Sequence, residues 1–483
     1  MRIETAITGK VLFVTPPYHC GVVEIAGRWL PLNFVYLAGS VRQTGMVAEI
    51  YDAMAKAHGY PEIEERLRES RADYVSTTAV TATINDAVKV LELAKRVKPD
   101  TVTILGGVHP TFMFEEVMHS SPAIDYIICG EGEITLRELL DVLEQGGDPN
   151  TVPGVVMRKG GAVVKTSRRP FMASIDDLPA AWDLLDWQDY TYHFIPGSRL
   201  GAVSTSRGCS HDCTFCTQCK FWDMSWRARD PRKVADELEF LFNTHGVNTF
   251  LVTDEHPTSD QKRWEALLDA LIAKDLPIHL LMETRPRDII RDHEIIWKYR
   301  KAGVIWISIG VGADQPAAAE ARQALDLIRE QEIVSEATFM LGFPDETSAS
   351  LKRPLELAQY CNPDVANFLA VTPWPYSDMY DVAKSHIRES DYSRYNMVDP
   401  VIEPEKMSIL HVEMAIANSY RKFYMGKMTE VMSMEAGFRR AFIMRATRLF
   451  MGSSFILKKM CVGMFGKIPA KMQETKKKLR GEG

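Results

Sequence analysis

The sequence predicts an α/β protein built from consecutive parts. Apolar runs typical of buried strands alternate with helical patterns over residues 1–145, and a second alternation runs from about residue 200 to residue 380. Beyond that point the pattern becomes helical. Strands that alternate with helices indicate parallel sheets. We therefore expect a doubly wound domain over 1–145, a linker over 146–199, a partial (β/α)6 barrel over 200–380 and a helical region over 381–483.

The bulk composition is that of an ordinary globular chain. Its 483 residues are 46% hydrophobic and 25% charged, and this length predicts two or three domains. Most of the eight cysteines are scattered, which excludes a disulfide scaffold and fits a reducing cytosol. We find no signal-peptide pattern at the N-terminus and no apolar run of the roughly 18 residues that a membrane span needs. We expect a cytoplasmic protein without a nucleic-acid partner.

The first part contains five predicted strands. They are residues 11–14, 47–51, 74–77, 103–105 and 126–128, and the helices between and after them are 32–44, 61–69, 83–97 and 135–145. Parallel sheets bind ligands in the crevice outside the carboxyl ends of their strands. Polar or glycine residues follow three of these strands, which predicts a ligand site there. The candidates are Thr77, Thr78, Gly106, Gly107, His109, Gly130 and Glu131.

Three cysteines follow the first strand of the second part. Cys209, Cys213 and Cys216 have C-x3-C-x2-C spacing, which suits a [4Fe-4S] cluster. Because such a cluster has four irons, three thiolates leave one iron open for a substrate or cofactor. Zinc stays an alternative, since Cys219 and His211 lie close in sequence. Three ordinary buried thiols are the other alternative.

The cysteine motif resembles that of the radical S-adenosylmethionine (SAM) superfamily. The superfamily signature is C-x3-C-x-Φ-C, and Phe215 supplies the aromatic residue Φ. The resemblance implies that SAM binds the open iron and that its reductive cleavage gives a 5′-deoxyadenosyl radical. A low-potential ferredoxin or flavodoxin is the implied electron donor. The cofactor-binding residues implied by matching positions are Phe215, Asp254, Glu255, Arg285, Ser308 and Gly342.

The second part has six predicted strands that match the superfamily's partial barrel. They are 200–205, 249–253, 278–282, 304–309, 337–341 and 366–371, separated by helices at 231–244, 260–273, 291–302, 318–330 and 349–359. The segment after Gly310 departs from the superfamily. It is shorter than usual and lacks the expected glutamate, so the usual SAM contacts of that strand are in question.

The first part resembles cobalamin-binding Rossmann domains. The resemblance rests on residues 104–111 and on 129–133. One familiar motif of corrinoid proteins, D-x-H-x-x-G, is absent, because Asp52 is followed by Met54 where a histidine would stand and His58 is displaced. The resemblance implies bound cobalamin, and the lower axial ligand of its cobalt stays open.

Further segments resemble the anaerobic magnesium-protoporphyrin IX monomethyl ester oxidative cyclases of bacteriochlorophyll synthesis. They are residues 17–19, 24–27, 220–222, 229–231, 372–378 and 420–425. The resemblance implies oxygen-independent, cobalamin-requiring closure of ring E, with the new oxygen taken from water. Tyr18, His19 and Glu24 are then the candidate catalytic residues, with Trp374 beside them in a substrate cleft. Ordinary interdomain packing is the other explanation of these four residues.

Two other functions stay open on the sequence. A cobalamin-dependent radical SAM C-methyltransferase acting on a lipid or tetrapyrrole would need the same cofactors. A corrinoid- or tetrapyrrole-binding protein without turnover is the alternative of another class, and the short segment after Gly310 favours it.

The C-terminal end is strongly basic. From Arg439 onward there are twelve Lys and Arg against two Glu, about +10, whereas the net charge of the whole chain is −7. Apolar side chains interleave with these charges: Phe442, Ile443, Phe450, Met451, Phe455, Ile456 and Phe465. A solvated helical face is the common meaning of such a run. Together with the apolar residues, the charge predicts peripheral contact with the inner face of a membrane.

Overall fold

The computed structural model describes residues 9–18, 25–312 and 314–452. Within them lie two large sheets and an antiparallel two-stranded ribbon. The predicted fold class is confirmed: an N-terminal α/β domain, a second domain around a parallel sheet and a helical C-terminal region.

The first sheet has seven strands within the described residues, in the order β2-β1-β3-β4-β5-β6-β7. They are β1 Lys10–Val14, β2 Val47–Tyr51, β3 Tyr74–Thr78, β4 Val102–Gly106, β5 Tyr126–Ile128, β6 Val155–Lys159 and β7 Ala162–Lys165. The first five pair in parallel, whereas β6 and β7 are antiparallel. Both antiparallel strands come from the segment 146–199, the expected linker, so that segment extends the first sheet.

Helices cover both faces of this sheet. They are Leu32–Arg42, Tyr60–Ser70, Ile84–Val97, Val108–Phe112, Phe114–Ser120 and Glu133–Glu144. The apolar residues of Ile84–Val97 recur at helical spacing, and its Ile84, Ala87, Val90 and Leu91 are buried. Because helices shield both faces, β1 reads as a nearly continuous apolar run, and its last four residues are buried.

The second sheet has six parallel strands within the described residues, and they follow one another in chain order. They are β8 Leu200–Val203, β11 Thr249–Val252, β12 His279–Thr284, β13 Val304–Gly310, β14 Val334–Leu341 and β15 Val365–Ala370. The remaining strands, β9 Ser206–Gly208 and β10 Trp226–Ala228, form the ribbon. The predicted strand 200–205 therefore ends early and continues into the ribbon.

Helices connect the strands of the second sheet. They are Gln218–Phe221, Pro231–His245, Gln261–Lys274, Pro286–Arg291, Ile296–Lys301, Gln315–Glu330 and Arg353–Cys361. The single helix expected over 291–302 is wrong, because the chain forms two short helices there. Asp292 lies in the break, and its buried carboxylate accepts a hydrogen bond from the Tyr299 hydroxyl at 2.6 Å.

The C-terminal region contains the helices Asp378–Ala383, Ile409–Ser433 and Phe438–Gly452. Among the described residues, no helix is both long and apolar enough to cross a membrane. The expected membrane-facing role of Phe442, Ile443 and Phe450 is wrong, because all three are buried. Phe442 packs on Tyr192 and Phe194.

Arg439, the first residue of the basic C-terminal end, is also part of the protein body. The Arg439 guanidinium donates two hydrogen bonds to the buried Asp364 carboxylate, at 2.8 and 2.9 Å. Residues 453–483, with Phe455, Ile456 and Phe465, lie outside the described residues, as does the side chain of Met451.

Candidate functional site

A cavity of about 360 Å³ lies between the carboxyl ends of the first sheet and the start of the second domain. Six of the seven predicted crevice residues line it: Thr77, Thr78, Gly106, Gly107, Gly130 and Glu131. The opposite wall comes from the second domain and includes Ser204, Ser206, Arg207, Phe221, Trp222, Thr253 and Glu255. Two distant parts of the sequence therefore form one cavity.

Two glycines leave space in its wall. A Cβ atom built on Gly106 or Gly130 would have no heavy atom within 4 Å. Gly130 also has a φ of +78°, in the left-handed region that favours glycine. The wall thus offers bare backbone and the Thr78 hydroxyl to a ligand, whereas the Thr77 hydroxyl donates to the Val14 carbonyl at 2.8 Å. These groups suit the amide-bearing side chains of a corrinoid, and the cavity would hold part of such a ligand.

His109 does not line the cavity, contrary to its predicted place. Its ring is buried and lies 5.0 Å from the ring of Tyr392 and 6.0 Å from that of Tyr376. Its Nδ1 is 3.1 Å from the Thr81 hydroxyl. Burial lowers the pKa of His109 to about 4, so the ring is neutral at pH 7. It packs the first domain against the segment that follows the second sheet.

Glu131 lines the cavity, but its carboxylate already has protein partners. It accepts hydrogen bonds from Arg207 at 2.9 Å and from Arg227 at 3.0 and 3.1 Å. Burial opposes its ionisation, but these two guanidinium groups outweigh burial and lower the pKa of Glu131. The geometry therefore favours a structural role for Glu131 over a role limited to ligand binding.

The three motif cysteines lie half-buried on the loop after β9, and their thiols are free. The loop turns where the Cys216 N–H donates to the Cys213 carbonyl at 2.9 Å. Among the described residues, no three His, Cys, Asp or Glu side chains converge as a single metal ion requires. Cys219 is buried, with its Sγ 3.2 Å from the Cys216 carbonyl.

The surroundings of the cysteine loop favour bound anions. Burial opposes ionisation of Cys209, but the neighbouring His256 and Arg285 lower the pKa of its thiol. Arg285 follows β12, and its buried Nη1 has no hydrogen-bond partner among the described residues. A cation with spare donors beside thiolates fits both an iron–sulfur cluster and a carboxylate-bearing cofactor.

Asp254 and Glu255 hold the two ends of the cysteine loop. The buried Asp254 carboxylate accepts bonds from Thr205, which precedes β9, and from Ser206, the first residue of β9. Glu255 accepts from the Gly208 N–H at 3.0 Å and from the Trp222 indole at 2.8 Å. The structure thus places these two acids as supports of the loop, whereas the resemblance implied direct cofactor contact. The sequence signal, an acidic pair after β11, does not distinguish these roles.

The other implied SAM-binding residues are spread along the second domain. Phe215 is 60% exposed on the cysteine loop. Ser308 lies on β13 and its hydroxyl donates to Glu336 at 3.2 Å. Gly342 follows β14 with a φ of +89°, and its N–H donates to the Glu346 carboxylate at 3.1 Å.

Sequence reasoning missed Glu336, which forms a pair of acids with Glu283 beside Ser308. Glu283 on β12 and Glu336 on β14 each pair with Ser308 in the strand register. Burial and then the charge of Glu283 raise the pKa of Glu336 to about 8. Polar residues at alternate positions in the otherwise apolar β14 were the available signal.

Only one of the three candidate catalytic residues falls within the described residues. The Tyr18 hydroxyl donates to the Ser393 carbonyl at 2.9 Å, across the contact between the first domain and the segment after β15. His19 and Glu24 lie outside the described residues. Trp374 is half-buried in the same segment as Ser393.

Comparison with known proteins agrees with this architecture. Residues 18–140 match the B12 binding domain family and residues 203–358 match the Radical SAM superfamily. The anaerobic magnesium-protoporphyrin IX monomethyl ester cyclase of Cereibacter sphaeroides is 35% identical over 459 residues, 92% of this chain and 75% of that protein. The cyclase of the same name from Rubrivivax gelatinosus is 35% identical over 474 residues, 95% of this chain and 85% of that protein. The chain belongs to the anaerobic magnesium-protoporphyrin IX monomethyl ester cyclase family.

A solved structure shows the same fold at low identity. The radical SAM methyltransferase TsrM from Kitasatospora setae, with cobalamin and a [4Fe-4S] cluster bound, aligns with a TM-score of 0.64. It is 17% identical, and the match covers 78% of this chain and 75% of that one. As a member of the cyclase family with B12-binding and radical SAM domains, this protein is a radical SAM oxidoreductase. Its cofactors are cobalamin, SAM and a [4Fe-4S] cluster.

Proposed function

We propose that the protein catalyses the oxygen-independent oxidative cyclisation of magnesium-protoporphyrin IX monomethyl ester in bacteriochlorophyll synthesis. The observation that carries the proposal is 35% identity to two cyclases of that name over more than nine-tenths of the chain. The cavity between the cobalamin-binding and radical SAM domains supports it, because cofactors bound on its two sides would face each other.

We assign the cluster to Cys209, Cys213 and Cys216, with Cys219 outside its ligand shell. The bound cofactors supply hydrogen-atom abstraction and electron transfer, which side-chain acids and bases cannot provide for an unactivated C–H bond. The chain's own residues position the reactants and exclude water. Asp254 and Glu255 fix the loop, and we assign Arg285 to the SAM carboxylate.

We assign cobalamin to the crevice of the first sheet, without His58 as a ligand of its cobalt. Thr77, Thr78, Gly106 and Gly130 supply its wall. His58 is absent from that wall, and its Nδ1 is engaged 2.6 Å from the Tyr51 hydroxyl.

We place the planar tetrapyrrole near an aromatic cluster at the same domain boundary. The rings of Phe112 and Tyr376 stack at 4.8 Å with an interplanar angle of 13°, and Phe221 lies 6.3 Å from Phe112. Phe221 also lines the cavity. Flat apolar rings suit a macrocycle. The Tyr18 hydroxyl donates to Ser393 in the segment that also holds Tyr376, and we assign Tyr18 and Trp374 to the same substrate cleft.

Two partners complete the proposal. A low-potential ferredoxin or flavodoxin supplies electrons to the cluster. Peripheral membrane contact, if made through the basic end, falls to residues 453–483, because Arg439 and Phe442 pack on the protein body. These residues carry eight Lys and Arg against two Glu.

A C-methyltransferase is the second candidate, since the Kitasatospora methyltransferase has the same fold. The deciding experiment is an anaerobic assay of the reconstituted protein with magnesium-protoporphyrin IX monomethyl ester, SAM, cobalamin and a reductant. We expect 5′-deoxyadenosine and a ring-closed pigment. S-adenosylhomocysteine with a methylated product would indicate the methyltransferase, and a protein that only binds corrinoid or tetrapyrrole would yield neither nucleoside product.

A further inference from the structure

The ribbon that precedes the cysteine loop carries two positive charges face to face. Arg207 on β9 and Arg227 on β10 are directly opposite in the antiparallel register. Like charges in that position are destabilising, and a two-stranded ribbon alone is marginally stable. The ribbon therefore needs a counter-charge from elsewhere in the molecule.

That counter-charge comes from the other domain. The Glu131 carboxylate, in the loop after β5, accepts from Arg207 at 2.9 Å and from Arg227 at 3.0 and 3.1 Å. Glu133 accepts a second bond from Arg207 at 2.6 Å. The side chains of Glu131 and Arg207 are only 5% and 12% exposed. Buried charges persist only when they are paired, so each side of this network depends on the other.

Backbone groups complete the network. The Met172 N–H donates to Glu131 at 2.9 Å, and the Met172 carbonyl accepts from Arg227 at 2.8 Å. The Nε atom of Arg227 is buried without a hydrogen-bond partner among the described residues. The hydrogen bonds of Arg227 are thus made by its terminal nitrogens, two of them to Glu131, and its guanidinium also lies over the rings of Phe171 and Trp222.

The same network touches both cofactor sites. Glu131, Glu133 and Arg207 line the cavity assigned to cobalamin. The ribbon strand that holds Arg207 ends at Gly208, and Cys209 is the next residue. A ligand in the cavity therefore contacts the ion pair that sets the position of the first cluster cysteine.

We propose that Glu131 is a positioning residue that couples cobalamin binding to the assembly of the iron–sulfur cluster. When Glu131 is charged, it holds the ribbon and the cavity wall in one conformation. Each cofactor stabilises that conformation and so favours binding of the other. Without that charge the two arginines repel each other, and each cofactor binds independently. Such a coupling is reciprocal: cobalamin must favour the cluster by the same factor as the cluster favours cobalamin. It goes beyond the proposed function, since it holds whichever substrate is used.

Cobalamin affinity provides the test. We would measure the Kd of hydroxocobalamin by anaerobic equilibrium dialysis, for full-length protein with and without its reconstituted cluster. The cluster should tighten binding in the native protein by about fivefold or more, the lower end of ordinary coupling factors. In Glu131→Gln, which keeps the shape and removes the charge, the ratio should fall to near one. Glu138→Gln is the matched control: Glu138 pairs with Arg169 in the same domain, and it should keep the native ratio.

The electron paramagnetic resonance spectrum of the reduced cluster gives a second measurement. Cobalamin should alter it in the native protein and leave it unchanged in Glu131→Gln. A native Kd ratio of one, or a native ratio retained by Glu131→Gln, overturns the proposal. A merely structural Glu131 would weaken both affinities and leave the ratio intact, which also overturns it. If Glu131→Gln does not fold, Glu133→Gln removes the second partner of Arg207 and must lower the ratio for the proposal to stand.

Discussion

Asp254 and Thr205 are joined by two short hydrogen bonds, from the Thr205 N–H at 2.6 Å and from its hydroxyl at 2.5 Å. This buried contact fixes the chain four residues before Cys209. Asp254→Ala would leave buried donors unpaired, at about 1–3 kcal/mol each. We expect a loss of at least about 3 kcal/mol in the free energy of unfolding and a reduced iron content after reconstitution. Urea unfolding and iron analysis measure these quantities.

Asp236→Ala is the control for that experiment. Asp236 forms an exposed ion pair with Lys274, and such pairs contribute about 0–1 kcal/mol. If the two variants unfold alike, Asp254 does not have the supporting role assigned to it.

The cluster assignment predicts a simple pattern among cysteine variants. Cys209→Ala, Cys213→Ala and Cys216→Ala should each lose most of the bound iron and the cluster absorbance, because thiolates hold the irons. Cys219→Ala should retain both, since that thiol is buried against backbone carbonyls. Anaerobic reconstitution followed by absorbance and iron analysis decides it. Full iron in Cys213→Ala, or its loss in Cys219→Ala alone, would contradict the assignment.

A larger side chain in the cavity should weaken cobalamin binding and leave folding unchanged. At Gly106 an added Cβ atom meets no heavy atom within 4 Å, and the backbone conformation is not one reserved for glycine. We expect Gly106→Val to fold normally and to bind cobalamin at least about tenfold more weakly, roughly 1.4 kcal/mol of binding free energy. Equilibrium dialysis gives the Kd. Gly426→Val, at an equally open position on Ile409–Ser433, should bind as the native protein does. Unchanged binding by Gly106→Val would place cobalamin elsewhere.

His109 should make the protein sensitive to mild acid. Its pKa is lowered by burial to about 4 in the folded state, against an ordinary value of 6.5. A group with a lowered folded pKa stabilises above its unfolded pKa and loses that contribution as the pH falls through 6.5 toward 4. Between pH 7 and pH 5 the loss should be about 2 kcal/mol.

The variant His109→Phe isolates this effect. It keeps a ring against Tyr376 and Tyr392 but cannot titrate. On going from pH 7 to pH 5, the native protein should therefore lose about 2 kcal/mol more unfolding free energy than the variant. Parallel urea titrations at the two pH values measure it. If the difference in unfolding free energy does not change with pH, the folded protein does not hold His109 as a buried, neutral ring.

The basic end should bind anionic membranes through residues 453–483. Each basic residue near an anionic surface contributes about 1 kcal/mol, and salt screens this attraction within about 10 Å at 0.1 M. We expect the full chain to sediment with anionic liposomes and to be released as salt rises. A chain ending at Gly452 keeps Arg439 and Phe442 in place and should not sediment. Equal binding by the shortened chain, or equal binding to neutral lipid, would remove this role.

Periodicity predicted most strands and helices, because burial of an apolar face is a local property of the sequence. The helix break at Asp292 was not predictable from periodicity, since an apolar pattern does not reveal a buried carboxylate that is bonded to Tyr299. Likewise, the attachment of the hairpin β6–β7 to β5 was not predictable, since it depends on a long-range pairing.

The candidate site shows the same division between features that are local in the sequence and contacts that are long-range. Spacing alone identified the cysteine motif, and strand ends identified the cavity wall. The partners of Asp254 and Glu131 lie about fifty and nearly a hundred positions away, so their engagement with Thr205 and Arg227 needed three-dimensional information. The aromatic residues at 442 and 450 looked membrane-directed because sequence cannot tell one apolar partner from another.

The antiparallel hairpin at the edge of the first sheet also bears on how the chain matures during synthesis. A nascent chain that has emerged only to residue 145 leaves β5 as an unpaired edge, a template for association with other chains. The edge closes when β6 and β7 emerge, and the bond from Arg169 to Thr135 follows. We expect the N-terminal domain to become self-sufficient on the ribosome only after about twenty-five further residues have left the exit tunnel, before the first cluster cysteine emerges from it.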